Sequence, residues 1–181
     1  MFVPLTTFDE CVRVLDNKRL FKQLLEAYQI LNVILDRPKP DGTPRKGWKN
    51  HPAVKQWEYW PGTLLTYADA ARRECDKRGI ATEQMKKLLD ELGIRRTKSL
   101  PCWWGDAEVH SSHRARLLQK DWEHYRQFKW REARLRNLQS IPYQWAIPSD
   151  KNNYELEIRP KPRLTKKKEK VVQPVRARRT G

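Results

Sequence analysis

Residues 17 to 36 read NKRLFKQLLEAYQILNVILD, and this stretch constrains the rest of the chain most. Leu20, Leu24, Ala27, Leu31 and Ile34 recur at helical spacing and form one apolar stripe, which the remaining elements have to cover. Arg19, Lys22, Gln23, Glu26 and Gln29 follow the same period on a second face. Glu26 is the only acid in the middle of that helix, and Lys22 lies one turn before it. Read alone, the two are a surface ion pair worth a few tenths of a kcal/mol. The sharper reading is a carboxylate set in a basic face that handles an anionic substrate.

The charge balance bears on that choice. The chain has 181 residues, enough for one ordinary domain and a tail, with a net charge of +16. Such a balance calls for an anionic partner, most simply nucleic acid. No long apolar run or lipidation signal points to a membrane, and the N-terminus MFVPLTTFDE lacks the pattern of a secretory leader. Cys11, Cys75 and Cys102 are odd in number and far apart, which fits a reducing compartment. From Lys161 onward nine Lys/Arg face a single acid, Glu169, so half of the net charge belongs to this end. It has almost no large apolar residues, and its composition predicts a disordered tail.

Along the chain, Pro4 keeps the apolar start Met1–Leu5 out of regular structure, as a segment laid onto the body. Thr7 can cap a short turn from Phe8, and the main helix ends at Asp36-Arg37-Pro38. Further helices are predicted after Pro52, from about 63 to 78, after a cap at Thr82, and from about 107 to 120. Residues 130–138 read as helical and basic. Ile141 to Pro148 is an aromatic strip bounded by prolines. No run of strand period stands out, so the fold class is all-α: one compact helical domain over residues 1–148, with an extended N-terminus and a basic tail over 149–181.

His110 and His113 share a helix face, but no third ligand stands at zinc spacing, and neither a metal nor another cofactor is expected. Ser111 and Ser112 are only neighbours of these histidines, which does not make a triad. His113, Arg116 and Lys120 lie within about one turn of each other and suit phosphate contacts, although a solvated basic face is an equal reading. Aromatic residues interleave with the basic groups, among them Trp48, Trp103, Trp104, Trp122, Tyr143 and Trp145. Most belong in a core; two or three could stack on bases.

Several blocks together resemble the pyrimidine-dimer DNA glycosylase family. They are Leu15-Asp16-Asn17-Lys18-Arg19-Leu20 with Glu26, Asn50-His51-Pro52-Ala53-Val54, Trp103-Trp104-Gly105-Asp106, His110 to Lys120, His124-Tyr125 and Pro142-Tyr143-Gln144-Trp145. The likeness is nearest to an actinobacterial and phage branch of that family and covers all but the tail. It implies a helical DNA-repair glycosylase with abasic-site lyase activity. In that chemistry an N-terminal α-amine attacks C1′, the base leaves, and a Schiff base precedes strand cleavage. An α-amine titrates at about 7.7–8.0, so part of it is neutral near pH 7, unlike a lysine. By resemblance Glu26 steadies the sugar cation, and Arg19, Lys22 and Arg116 hold phosphates, with His51, His113 and Lys120 on the same nucleic-acid face.

Residue 2 is Phe, which disfavours removal of the initiator methionine, so the amine falls to Met1. Leu25 and Gln29 stand where the family has basic residues. The resemblance thus implies a monomer acting on DNA, most simply duplex, in the cytoplasm at the nucleoid, without an obligate protein partner. Two other readings stay open: a non-catalytic DNA-binding protein on the same scaffold, and an enzyme for a modified base rather than a photodimer.

Overall fold

A computed structural model describes residues 1–45 and 47–158. Seven α-helices occur in this part: α1 (Phe8–Arg13), α2 (Asn17–Ile34), α3 (Pro52–Trp57), α4 (Pro61–Lys77), α5 (Glu83–Asp90), α6 (Ala107–Lys120) and α7 (Trp122–Tyr125). Three 3-10 turns follow, and a hairpin of β1 (Gln144–Pro148) and β2 (Tyr154–Ile158) closes the described part.

The long central helix forms where its stripe requires. Leu20, Leu24, Ala27 and Leu31 are fully buried, and the more distal Ile34 is half-buried. Its cap is Asp16, whose carboxylate accepts the Arg19 N–H at 3.1 Å and also takes the Arg19 guanidinium at 2.6 Å and the Tyr125 hydroxyl at 2.7 Å. One residue therefore starts α2 and ties it to α7. Burial alone would raise the Asp16 pKa, but the bonds from Arg19 and Tyr125 hold it below the usual carboxylate range.

The main partner of α2 is α4. The expected inner face of α4, Leu64, Leu65, Ala68, Ala71 and Cys75, is buried throughout. Gly62 permits a close approach at its start, because a Cβ there would stand 2.5 Å from the Arg95 carbonyl oxygen. At its end Gly79 takes φ of +70°, its N–H bonds the Asp76 carbonyl, and the Ile80 N–H reaches the Cys75 carbonyl. Trp57 and Trp103 fill the centre of the core beside this pair, and the Trp103 indole donates to the Gln56 carbonyl at 3.0 Å.

Three expectations change. Thr82 precedes α5, but its hydroxyl bonds Asp76 and does not cap the helix. Residues 130–138 do not form a helix; 3-10 turns at Arg131–Arg134 and Leu138–Ser140 take their place. The first turn is fixed by Glu132, buried at 1% exposure against Arg114, which meets both of its oxygens at 2.9 Å. The body also does not end at 148. β1 and β2 pair antiparallel, Gln144 opposite Ile158 and Pro148 opposite Tyr154, so ordered pairing runs on to Ile158. The fold is mostly helical rather than purely so. The expected disordered tail from 159 onward lies outside the described residues.

Candidate functional site

The first six residues lie on the body without regular secondary structure, and such a segment leaves backbone polar groups that burial would otherwise orphan. Side chains from the helices and from the turn before α6 satisfy them in turn. The Gln23 amide on α2 accepts the Phe2 N–H at 3.0 Å and donates to the Phe2 carbonyl at 2.9 Å, which the Tyr67 hydroxyl also reaches at 2.8 Å. Val3 is gripped from both sides: its N–H donates to Nδ1 of His113 at 2.8 Å, and its carbonyl meets Nδ1 of His110 at 2.6 Å. The Gly105 N–H donates to Nε2 of His110, which leaves Nδ1 as that ring's proton donor toward Val3. Arg114 donates to the Pro4 carbonyl, the Cys11 thiol donates to the Leu5 carbonyl, and the Trp104 indole donates to the Thr6 carbonyl.

This lacing sets the chain's α-amine. Met1 is buried at 4% exposure, and its ammonium lies 2.9 Å from Oε1 of Glu26. The Tyr143 hydroxyl donates to the Met1 carbonyl at 2.7 Å. Burial first, then the nearby Glu26 charge, pushes the Tyr143 pKa far up, so the phenol stays protonated as that donor.

Above the amine opens a pocket of about 730 Å³. Glu26 and Met1 line it, as do five of the residues assigned to nucleic acid: Arg19, Lys22, His51, Arg116 and Lys120. Lys18 joins them. The cations are crowded: burial first, then the charges of Arg116, Arg19 and Lys22, lower the Lys120 pKa. Lys22 and Lys120 form no ion pair among the described residues. Such a rim suits a polyanion more than a single carboxylate. Arg19 differs, since it already bonds Asp16, Asp121 and the Lys120 carbonyl and sits over the Tyr125 ring. His51 caps α3 through Nδ1 and stacks on Trp48, with its ring edge-on to Trp145.

His113 corrects the sequence reading. It is fully buried, so it does not face a phosphate; it holds Val3 and stacks on Tyr143 at 4.6 Å between centroids. Burial, and then the charge of the amine, depresses its pKa well below the ordinary histidine value. Leu25 and Gln29 lie outside the pocket lining, so the pocket wall does not contain these two departures from the family pattern. Sequence reasoning missed Gln23, His110 and Tyr143 as residues that position the amine. Gln23 did carry a signal, three residues before Glu26 on the polar side of α2. Among the described residues no group of three or more acidic, His or Cys side chains could hold a metal. No helix there is long and apolar enough to cross a membrane.

The pocket thus brings together an α-amine paired with a carboxylate and a rim of cations. Residues 1–88 match the family model of pyrimidine dimer DNA glycosylase. The match spans the laced N-terminus and α1 to α4, with Glu26 inside it; α6 and Tyr143 lie beyond. No curated protein and no solved structure matches the chain.

Proposed function

We propose that the protein is a DNA repair glycosylase with abasic-site lyase activity, whose nucleophile is the Met1 amine. The observation that carries this reading is the 2.9 Å contact between that amine and Glu26 at the floor of a cation-lined pocket. Glu26 accepts a proton from the ammonium, and the free amine bonds to C1′. The bond from C1′ to the base breaks, its electron pair leaves with the base, and the base takes up the proton that Glu26 received. The amine gives up a second proton through Glu26 to O4′ as the C1′–O4′ bond breaks, which leaves an iminium that Glu26 faces as a counter-charge. Loss of a C2′ proton then expels the 3′-phosphate. Lys22, Arg116 and Lys120 hold the phosphates meanwhile.

The test is Glu26→Gln, which keeps the shape and removes the base. Turnover on abasic-site duplex should fall by roughly 10²-fold or more while DNA affinity stays within a few-fold. Equal turnover by the variant removes Glu26 from the chemistry. The second reading, a DNA-binding protein without catalysis, predicts that the unsubstituted protein itself binds abasic duplex and leaves it intact.

A further inference from the structure

A second basic surface stands outside the pocket. Residues 126–136 read RQFKWREARLR, with five cations and a single acid. That acid, Glu132, is 1% exposed and is held by Arg114, so it does little to offset the cations at the surface. Lys129, Arg131, Arg134 and Arg136 are all exposed. Lys129, Arg134 and Arg136 form no ion pair among the described residues. Like charges at this density repel one another, and the fold holds them in place against that repulsion. Trp130 stacks on Phe128 at 5.3 Å and on Tyr125 at 5.9 Å between ring centroids. Lys129, between Phe128 and Trp130, takes φ of +50°, a left-handed backbone that most residues avoid. Further on, the Gln119 amide donates to the Leu138 carbonyl at 2.9 Å. Cations on turns anchored in this way lose less freedom on meeting an anion than cations on a loose segment.

This surface is joined to the pocket along the chain. None of residues 126–136 lines the pocket, but Arg136 stands three residues before Gln139, which does, together with Ser140, Ile141 and Pro142. The same junction is tied from α6, because Gln119 also accepts from the Arg116 guanidinium at 2.9 Å. Three residues of chain span at most about 11 Å. Duplex DNA carries a phosphate about every 1.7 Å along its axis, so a duplex at the rim brings several phosphates within that reach. We propose that the turns of residues 129–136 are a second contact surface for duplex DNA, holding its phosphate backbone outside the pocket and lengthening the footprint on that side. The contacts are to phosphates, so they add affinity and orientation without sequence preference. This rests on the DNA reading above and goes beyond it in naming where the duplex continues past the site.

The test compares two triple variants of the full chain that lose the same charge. One carries Lys129→Ala, Arg134→Ala and Arg136→Ala. The other carries Lys77→Ala, Lys86→Ala and Lys87→Ala, at exposed positions on α4 and α5. Each is titrated against a labelled duplex by fluorescence anisotropy between about 50 and 200 mM salt. The first variant should bind about tenfold or more weakly, and the slope of log affinity against log salt should shrink by about two to three, near one for each lost phosphate contact. The second should leave the slope within about 0.5 of the unsubstituted protein's. An unmoved slope in a folded first variant overturns the proposal. So do equal losses in the two variants, which would make the effect one of overall charge. The two readings fail differently. No binding of duplex by the unsubstituted protein refutes the DNA reading and this surface with it, whereas tight binding with an unmoved slope in the first variant refutes this surface alone.

Discussion

His113 shows how one buried ring can position a terminal amine it never touches. Its Nδ1 accepts from Val3, two residues from the amine, and its face supports Tyr143, which bonds the Met1 carbonyl. Protonation would turn that acceptor into a donor and add a cation beside the ammonium. The folded protein resists this, because burial and then the charges of the amine, His110 and Arg114 keep the ring neutral. The unfolded chain binds this proton from about pH 6.5 downward and the folded chain does not, so stability falls as pH drops below that value. His113→Asn should flatten part of this slope in thermal melts, the remainder belonging to His110, whose pKa burial also lowers. His113→Ala strands a buried N–H and should cost about 1–3 kcal/mol. Trapping by the amine should slow in Ala and largely recover in Asn, whose side-chain oxygen can take the same bond. Recovery absent in a folded Asn variant would show that Val3 does not position the amine.

At the scale of elements, legibility followed periodicity. The stripes of α2 and α4 are legible in the sequence, and burial follows them except at the half-buried Ile34. The hairpin was harder to see. Tyr154, Leu156 and Ile158 do alternate with Glu155 and Glu157, but only over five residues, next to a highly charged stretch that dominates any longer window. The lacing of the N-terminus was legible only as an apolar segment with a proline. Its partners, Gln23, His110 and Arg114, are polar residues whose inward direction depends on tertiary packing, and periodicity assigns them to a solvated face. Arg114 also anchors the turn at Arg131–Arg134 through Glu132, whose pKa is lowered to about 2: burial opposes this, and bonds from Arg114 and then Ser111 overcome it. That contribution is complete above the unfolded value near 4.5 and is lost as pH falls toward 2. Glu132→Ala leaves Arg114 largely buried without its anion and should cost about 3–5 kcal/mol in chemical denaturation. A loss below 1 kcal/mol would mean that the pair does not hold this turn.

Five Lys and Arg residues line the pocket, Lys18, Arg19, Lys22, Arg116 and Lys120, and nine more lie from Lys161 onward. Deleting residues 159–181 should weaken DNA binding and flatten its dependence on salt, since fewer counterions are released. An unchanged slope would place all phosphate contacts on the folded part. The fold sets the α-amine on Glu26 at the centre of that charge, and the central claim concerns this amine. Borohydride reduction of the full chain on an abasic-site duplex, with mass mapping of the adduct, tests it most directly. The account predicts a cross-link at the α-amine of residue 1, lost in Glu26→Gln. A cross-link at Lys18, Lys22 or Lys120, or tight binding with no cross-link at all, would contradict it.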